Sequence, residues 1–171
     1  MNGSMNTTII ALAVLCIAFI ALMLVWNGHI KKKNAAFRAE IESGMFISLD
    51  EFEENWISDR YGNKGLAGYK YNDGPGCYVI MIYGSELSNP GGDDYENIYI
   101  GQSVKVCQRV HSHFNGKGNG DVYADRKMGK HLYVHFETCS KEEMNALEKR
   151  LISVFGATRS YNKTRGGSAQ R

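Results

Sequence analysis

Residues 76–84, GCYVIMIYG, followed by the polar loop SELSNPGGDDYEN (85–97) and then IYIG (98–101), decide the fold. Both apolar runs are short, rich in β-branched and aromatic residues, and bounded by turn-forming residues, so they read as strands. A direct connection makes them an antiparallel hairpin, since a parallel pair needs a crossover. Downstream the chain reads as a helix, a loop, the strand HLYVHFE (131–137) and a final helix. That strand alternates, with Leu132, Val134 and Phe136 on one face and His131, Tyr133 and His135 on the other, so one sheet face is expected to be buried. Ser140 and Glu143 form a capping box for the last helix, which runs past Leu151 and ends at Gly156. The expected fold class is α+β, a small antiparallel three-stranded sheet flanked by helices.

Upstream, residues 9–26 (IIALAVLCIAFIALMLVW) form an uncharged apolar run of 18 residues. As a helix it would reach about 27 Å, enough for a bilayer core. The preceding MNGSMNTT has no Lys or Arg and no small-x-small cleavage site follows Trp26, which favours an uncleaved anchor over a signal peptide. Lys31, Lys32, Lys33 and Arg38 follow, and the positive-inside rule then places the C-terminal domain in the cytoplasm. The expectation is a single-pass protein of the cytoplasmic membrane, with a short outer tail (1–8), the span (9–26), a basic linker with an acidic amphipathic helix (27–70) and one C-terminal domain (75–167). Ser48 and Glu51 form the capping box of that acidic helix, with Phe52, Trp56 and Ile57 on its apolar side.

Composition narrows the function classes. Four Cys, none in a CxxC pair, exclude a zinc knuckle or a dense disulfide framework and read as reduced thiols. The net charge of +2 hides an asymmetry: residues 1–99 hold 7 Lys and Arg against 12 Asp and Glu, residues 100–171 hold 13 against 6. A basic C-terminal half fits a polyanionic partner.

Gly76-Cys77-Tyr78, then Tyr99-Ile100-Gly101, Arg109 and His113 on one helix, Glu148 on a later helix and Asn162 near the end form a set that resembles the GIY-YIG nuclease domain. The resemblance spans about residues 75 to 167. Two features depart from the family pattern. Cys77 stands where an aliphatic residue is usual, a modest change because Cys packs as a small hydrophobe. Twenty residues separate Tyr78 from Tyr99 where the family has a tight link, and a loop can absorb them at little cost in free energy.

The resemblance implies roles for these residues. Glu148 lies at the margin of the apolar stripe Met144, Leu147, Leu151 and Phe155. By helix position alone it is an ordinary carboxylate paired with a Lys or Arg, and the resemblance makes it the ligand of one divalent ion, Mg²⁺ or Mn²⁺. Lys105, Arg109 and His113 recur at four-residue intervals and are expected to face outward, beside the packing stripe Val106, Val110 and Phe114. Lys105 reads as a solvated charge, whereas Arg109 offers the planar fork that suits phosphate and His113 can handle a proton. Tyr78 and Tyr99 are expected as cross-strand neighbours, one of which takes a proton from water; the sequence leaves open which. Asn162 is expected to hold site geometry through side-chain hydrogen bonds. His111, His131 and His135 are read as structural or facing nucleic acid.

The reading is a membrane-anchored, metal-dependent endonuclease, with DNA rather than RNA as the expected substrate and with low sequence specificity because no appended DNA reader is present. The runner-up is a catalytically silent, membrane-tethered nucleic-acid-binding or scaffolding module. The bilayer, through residues 9–26, is the second partner.

Overall fold

The hairpin of residues 76–101 lies at one side of a four-stranded antiparallel sheet in a computed structural model, which describes residues 2–56, 73–92, 94–164 and 166. Element order is α1 (Asn2–Glu42), β1 (Ile47–Ser48), α2 (Leu49–Trp56), β2 (Gly76–Tyr83), β3 (Asn97–Ser103), α3 (Val106–Phe114), α4 (Gly120–Lys127), β4 (His131–Thr138) and α5 (Lys141–Phe155), then a 3₁₀ turn, Ala157–Arg159. The strands are ordered β1-β4-β2-β3. The fourth strand, β1, is two residues long and too short to show an alternating pattern.

The chain divides into two units, Met1–Phe37 and Arg38–Arg171. The first is helical from Asn2 and exposes its apolar side chains from Leu12 to Trp26. One stretch, Leu12–Glu42, is long and apolar enough to cross a membrane. The helix does not stop at Trp26 but runs through the lysines to Glu42, because KKKNAAFRAEIE contains good helix formers and no Gly or Pro. Its last turn is closed by an Arg38–Glu42 ion pair at 2.6 Å, spaced i,i+4.

In the second unit β2 is the central strand, buried along its whole length between β4 and β3. Tyr78, Ile80 and Ile82 join Leu132 and Val134 of β4 on one face, packed by Phe52 of α2, Val106, Val110 and Phe114 of α3, and Val122 of α4. On the other face Cys77, Val79, Met81, Ile98 and Ile100 are buried, with α5 packed against β2 and β3. Each such aliphatic side chain contributes about 1.5–3 kcal/mol by leaving water. The expectation of one buried face is therefore corrected. Of the polar half of the β4 alternation, Tyr133 and His135 are buried, both with hydrogen bonds: Tyr133 Oη accepts from Leu87 N (2.9 Å), and His135 bonds Met45 O (2.9 Å) and Glu137 (2.8 Å).

Helix α4 lies where the sequence reads as loop. Its N-cap, Asn119, accepts from Asp121 N and Val122 N, but only Val122 and Asp125 are buried, so the segment carries little apolar periodicity. At α5 the Glu143 carboxylate accepts from Ser140 N (3.1 Å), the reach-back bond of a capping box, and also from Ser140 Oγ (2.8 Å). At α2, Ser48 Oγ accepts from Glu51 N at 3.2 Å; Ile57 lies outside the described residues.

Candidate active site

Strand β3 is the sheet edge, and its outward backbone groups need partners. The chain after α5 supplies them: Ser160 Oγ accepts from Ile98 N (2.9 Å) and Tyr161 N donates to Ile98 O (3.3 Å). Asn162 bonds Ile100 twice, Oδ1 accepting from Ile100 N (2.9 Å) and Nδ2 donating to Ile100 O (2.7 Å). An amide side chain thus stands in for the next strand, beside Tyr99.

Tyr78 pairs with Gly101 in the register and Tyr99 with Ile80, so the two tyrosines are diagonal neighbours on one face rather than direct partners. Their ring centroids are 6.3 Å apart. A Cβ at Gly101 would overlap the Tyr78 hydroxyl and lie 2.5 Å from its Cζ, so only glycine admits the ring there.

Helix α3 packs on this face and brings His113 under both tyrosines, with ring centroids 5.6 Å from Tyr78 and 4.8 Å from Tyr99. His113 Nε2 lies 2.7 Å from Tyr78 Oη. The outward stripe expected from the sequence divides here: Lys105 and Arg109 are exposed, but His113 is fully buried. It sits in the last turn of α3, where the chain turns back over it toward α4. Burial, assisted by the charge of Arg109, lowers the His113 pKa to about 4.

Burial also raises both phenols. Tyr78 is pushed well above its ordinary value, opposed by the charge and hydrogen bond of Arg109. Tyr99 is raised by burial, opposed by Arg109 and by its hydrogen bond with Tyr78, while the Glu148 carboxylate raises it further. Tyr78 is 1% exposed whereas Tyr99 is only partly covered, so Tyr99 is the tyrosine of the pair that solvent reaches.

Glu148 comes from α5, on the opposite face, and meets the tyrosines around the β3 edge. It is 9% exposed, and its Oε2 accepts from Gln102 Nε2 at 3.0 Å. Gln102 also donates to Asn145 Oδ1 at 2.7 Å. A cleft of about 400 Å³ opens at this edge, lined by Tyr99, Glu148, Asn162, Asn119, Asp121 and Lys163, among others. Tyr99, Glu148 and Asn162 therefore share one cleft, with Tyr78 and His113 in the layer behind and Arg109 close enough to act electrostatically on all three rings. Glu148 and its surroundings fit a hard divalent ion: a single nearly buried carboxylate opens into a polar cleft with room for water and phosphate oxygen. Among the described residues no three His, Cys, Asp or Glu side chains gather as a metal cluster.

Sequence reasoning did not single out Gln102, Asn119 or Asp121. Gln102 could have been found from strand parity, which puts it on the α5 side with Ile98 and Ile100. Asn119 precedes Gly-Asp in a cap position, a usable sign of a helix start. In the long loop after β2, Tyr83 Oη accepts from Gly91 N (3.1 Å) and Tyr133 Oη accepts from Leu87 N (2.9 Å), both tyrosines lying on the α5 face of the sheet, and none of the loop's described residues lines the cleft.

No curated protein and no solved structure gave a significant match. The GIY-YIG catalytic domain family matches residues 75–162, half of the chain and the segment that carries the cleft. The chain therefore belongs to the GIY-YIG family, whose members are nucleases.

Proposed function

We propose that the protein is a membrane-anchored endonuclease that hydrolyses phosphodiester bonds in DNA, with little sequence preference and with one bound Mg²⁺ or Mn²⁺. The observation that carries the reading is the meeting of Tyr99, Glu148 and Asn162 in one cleft, backed by Tyr78, His113 and Arg109. Glu148 is the residue to hold the ion, which when bound would neutralise charge developing on the phosphate and on the leaving oxygen. Arg109, exposed beside the tyrosines, binds phosphate oxygens through its planar fork. Tyr99 is the better placed to take the proton from water, because it lines the cleft while Tyr78 is buried behind it. Asn162 keeps Ile100, and with it Tyr99, fixed at the sheet edge. The exposed apolar helix supports a bilayer anchor, and Lys31, Lys32 and Lys33 support a cytoplasmic catalytic domain.

The test is incubation of the full-length protein in detergent with supercoiled plasmid and, separately, with folded RNA, in Mg²⁺, Mn²⁺ or EDTA. Metal-dependent nicking of the plasmid at scattered positions is expected. Cleavage of RNA alone would overturn the DNA assignment.

A further inference from the structure

We propose that Asn119 is a positioning residue that fixes the single ring proton of His113 on Nε2, aimed at Tyr78. The effect on turnover rests on the nuclease reading above; the placement of the proton does not. Asn119 N donates to His113 Nδ1 at 2.6 Å. An amide can only donate, so Nδ1 carries a lone pair and the proton of the neutral ring sits on Nε2. Nε2 is 2.7 Å from Tyr78 Oη, so the imidazole donates and the phenol oxygen accepts. The ring stays neutral near pH 7 because burial lowers its pKa to about 4. His113 is therefore no base toward Tyr78. It leaves the Tyr78 hydroxyl proton free to point away from the imidazole, with Tyr99 as the neighbouring ring, 6.3 Å away between centroids.

The amide that sets this polarity is held by the Asn119 side chain. Its Oδ1 accepts from Asp121 N (2.8 Å) and Val122 N (3.2 Å), capping α4, and its Nδ2 donates to Tyr161 O (3.4 Å). Its carbonyl accepts from Tyr123 N (3.3 Å). Tyr161 is in turn tied to Asp125 on α4 by a 2.5 Å hydrogen bond. One residue thus joins α4, the segment that carries Asn162, and the histidine behind the tyrosines. Gly118 makes the approach possible, since a Cβ there would overlap His113 Nδ1 and lie 2.8 Å from its Cγ.

The experiment uses full-length protein in detergent, labelled with ¹⁵N in the histidine rings, with the His113 signals assigned by comparison with His113→Gln. The wild type should show a neutral ring protonated on Nε2 alone at pH 7.5. Asn119→Ala, which loses both the cap and the Tyr161 tie, should give a mixed tautomer and a kcat at least tenfold lower with KM within about twofold. Asn119→Ser, which restores a cap acceptor, should recover the single tautomer and most of the turnover. A wild-type proton on Nδ1, an unchanged tautomer in Asn119→Ala, or an unchanged kcat beside a mixed tautomer each overturns the proposal. Absence of cleavage by the wild type would instead defeat the nuclease reading, and the ring spectra would still decide the role of Asn119.

Discussion

Tyr78 on β2 lies across Gly101, its register partner on β3, with no room for a methyl group between them. The two halves of the GIY-YIG signature are thus one contact: the glycine of the second half is the floor on which the tyrosine of the first half rests.

Gly101→Ala should therefore displace Tyr78 from His113. Overpacking of a buried site costs about 1–3 kcal/mol, so the variant should fold with a lowered unfolding midpoint and lose cleavage almost completely. Wild-type turnover in a folded Gly101→Ala protein would show that the placement of Tyr78 does not matter.

Arg109→Lys keeps the charge beside the tyrosines but loses the planar fork. Plasmid cleavage should fall strongly, by about a hundredfold if one charge-assisted bidentate contact is lost at roughly 3 kcal/mol. DNA binding and its salt dependence should change little, because the charge count is the same. Near-normal turnover in the lysine variant would reduce Arg109 to part of a basic surface.

The pH dependence follows from the direction of each shift. His113 titrates at about 4 in the folded protein against about 6.5 for a free imidazole. The unfolded chain therefore takes up a proton first. The stability held by the neutral ring is fully present above about pH 6.5 and is lost as pH falls toward 4. That difference amounts to roughly 3 kcal/mol. Denaturant unfolding of the wild type and of His113→Gln should diverge over this window, and parallel curves would contradict the assignment. Because Tyr99 is raised above its ordinary value, kcat/KM should climb from pH 7 past pH 9, with no inflection near 6.5.

Most of the sheet was legible because its signals are local. The runs at 76–84 and 98–101 are short, apolar and bounded by turns, and the capping box at Ser140 and Glu143 marks a helix start in four residues. What the sequence did not reveal depends on tertiary contacts. Helix α4 is defined by one Asn cap rather than by an apolar stripe. The burial of Tyr133 and His135 comes from hydrogen bonds to Leu87 and Met45, distant in the chain. His113 looks like the third member of an exposed stripe, and turns inward only because the loop through Gly118 and Asn119 folds over it. Among the site residues, Arg109 and His113 show in the spacing only as members of a polar stripe, and Glu148 only as a carboxylate at an apolar margin; their meeting around the β3 edge is a product of the topology.

The proposed anchor yields its own prediction. The proposed topology puts Lys31, Lys32 and Lys33 on the cytoplasmic side, so protease added to sealed right-side-out vesicles should leave the C-terminal domain intact and degrade it after permeabilisation. Digestion before permeabilisation would reverse the topology.

The most direct test of the account is the cleavage of supercoiled plasmid by wild-type protein and by Glu148→Ala, each with Mg²⁺ and with EDTA. Glu148 is the nearly buried carboxylate of the cleft, and removing it should lower the rate by several powers of ten, since the ion it would hold acts mainly on charge that develops in the transition state. Nicking is expected from the wild type in Mg²⁺ alone, with Glu148→Ala folded, still bound to DNA and inactive. Equal cleavage by Glu148→Ala, or by the wild type in excess EDTA, would contradict it.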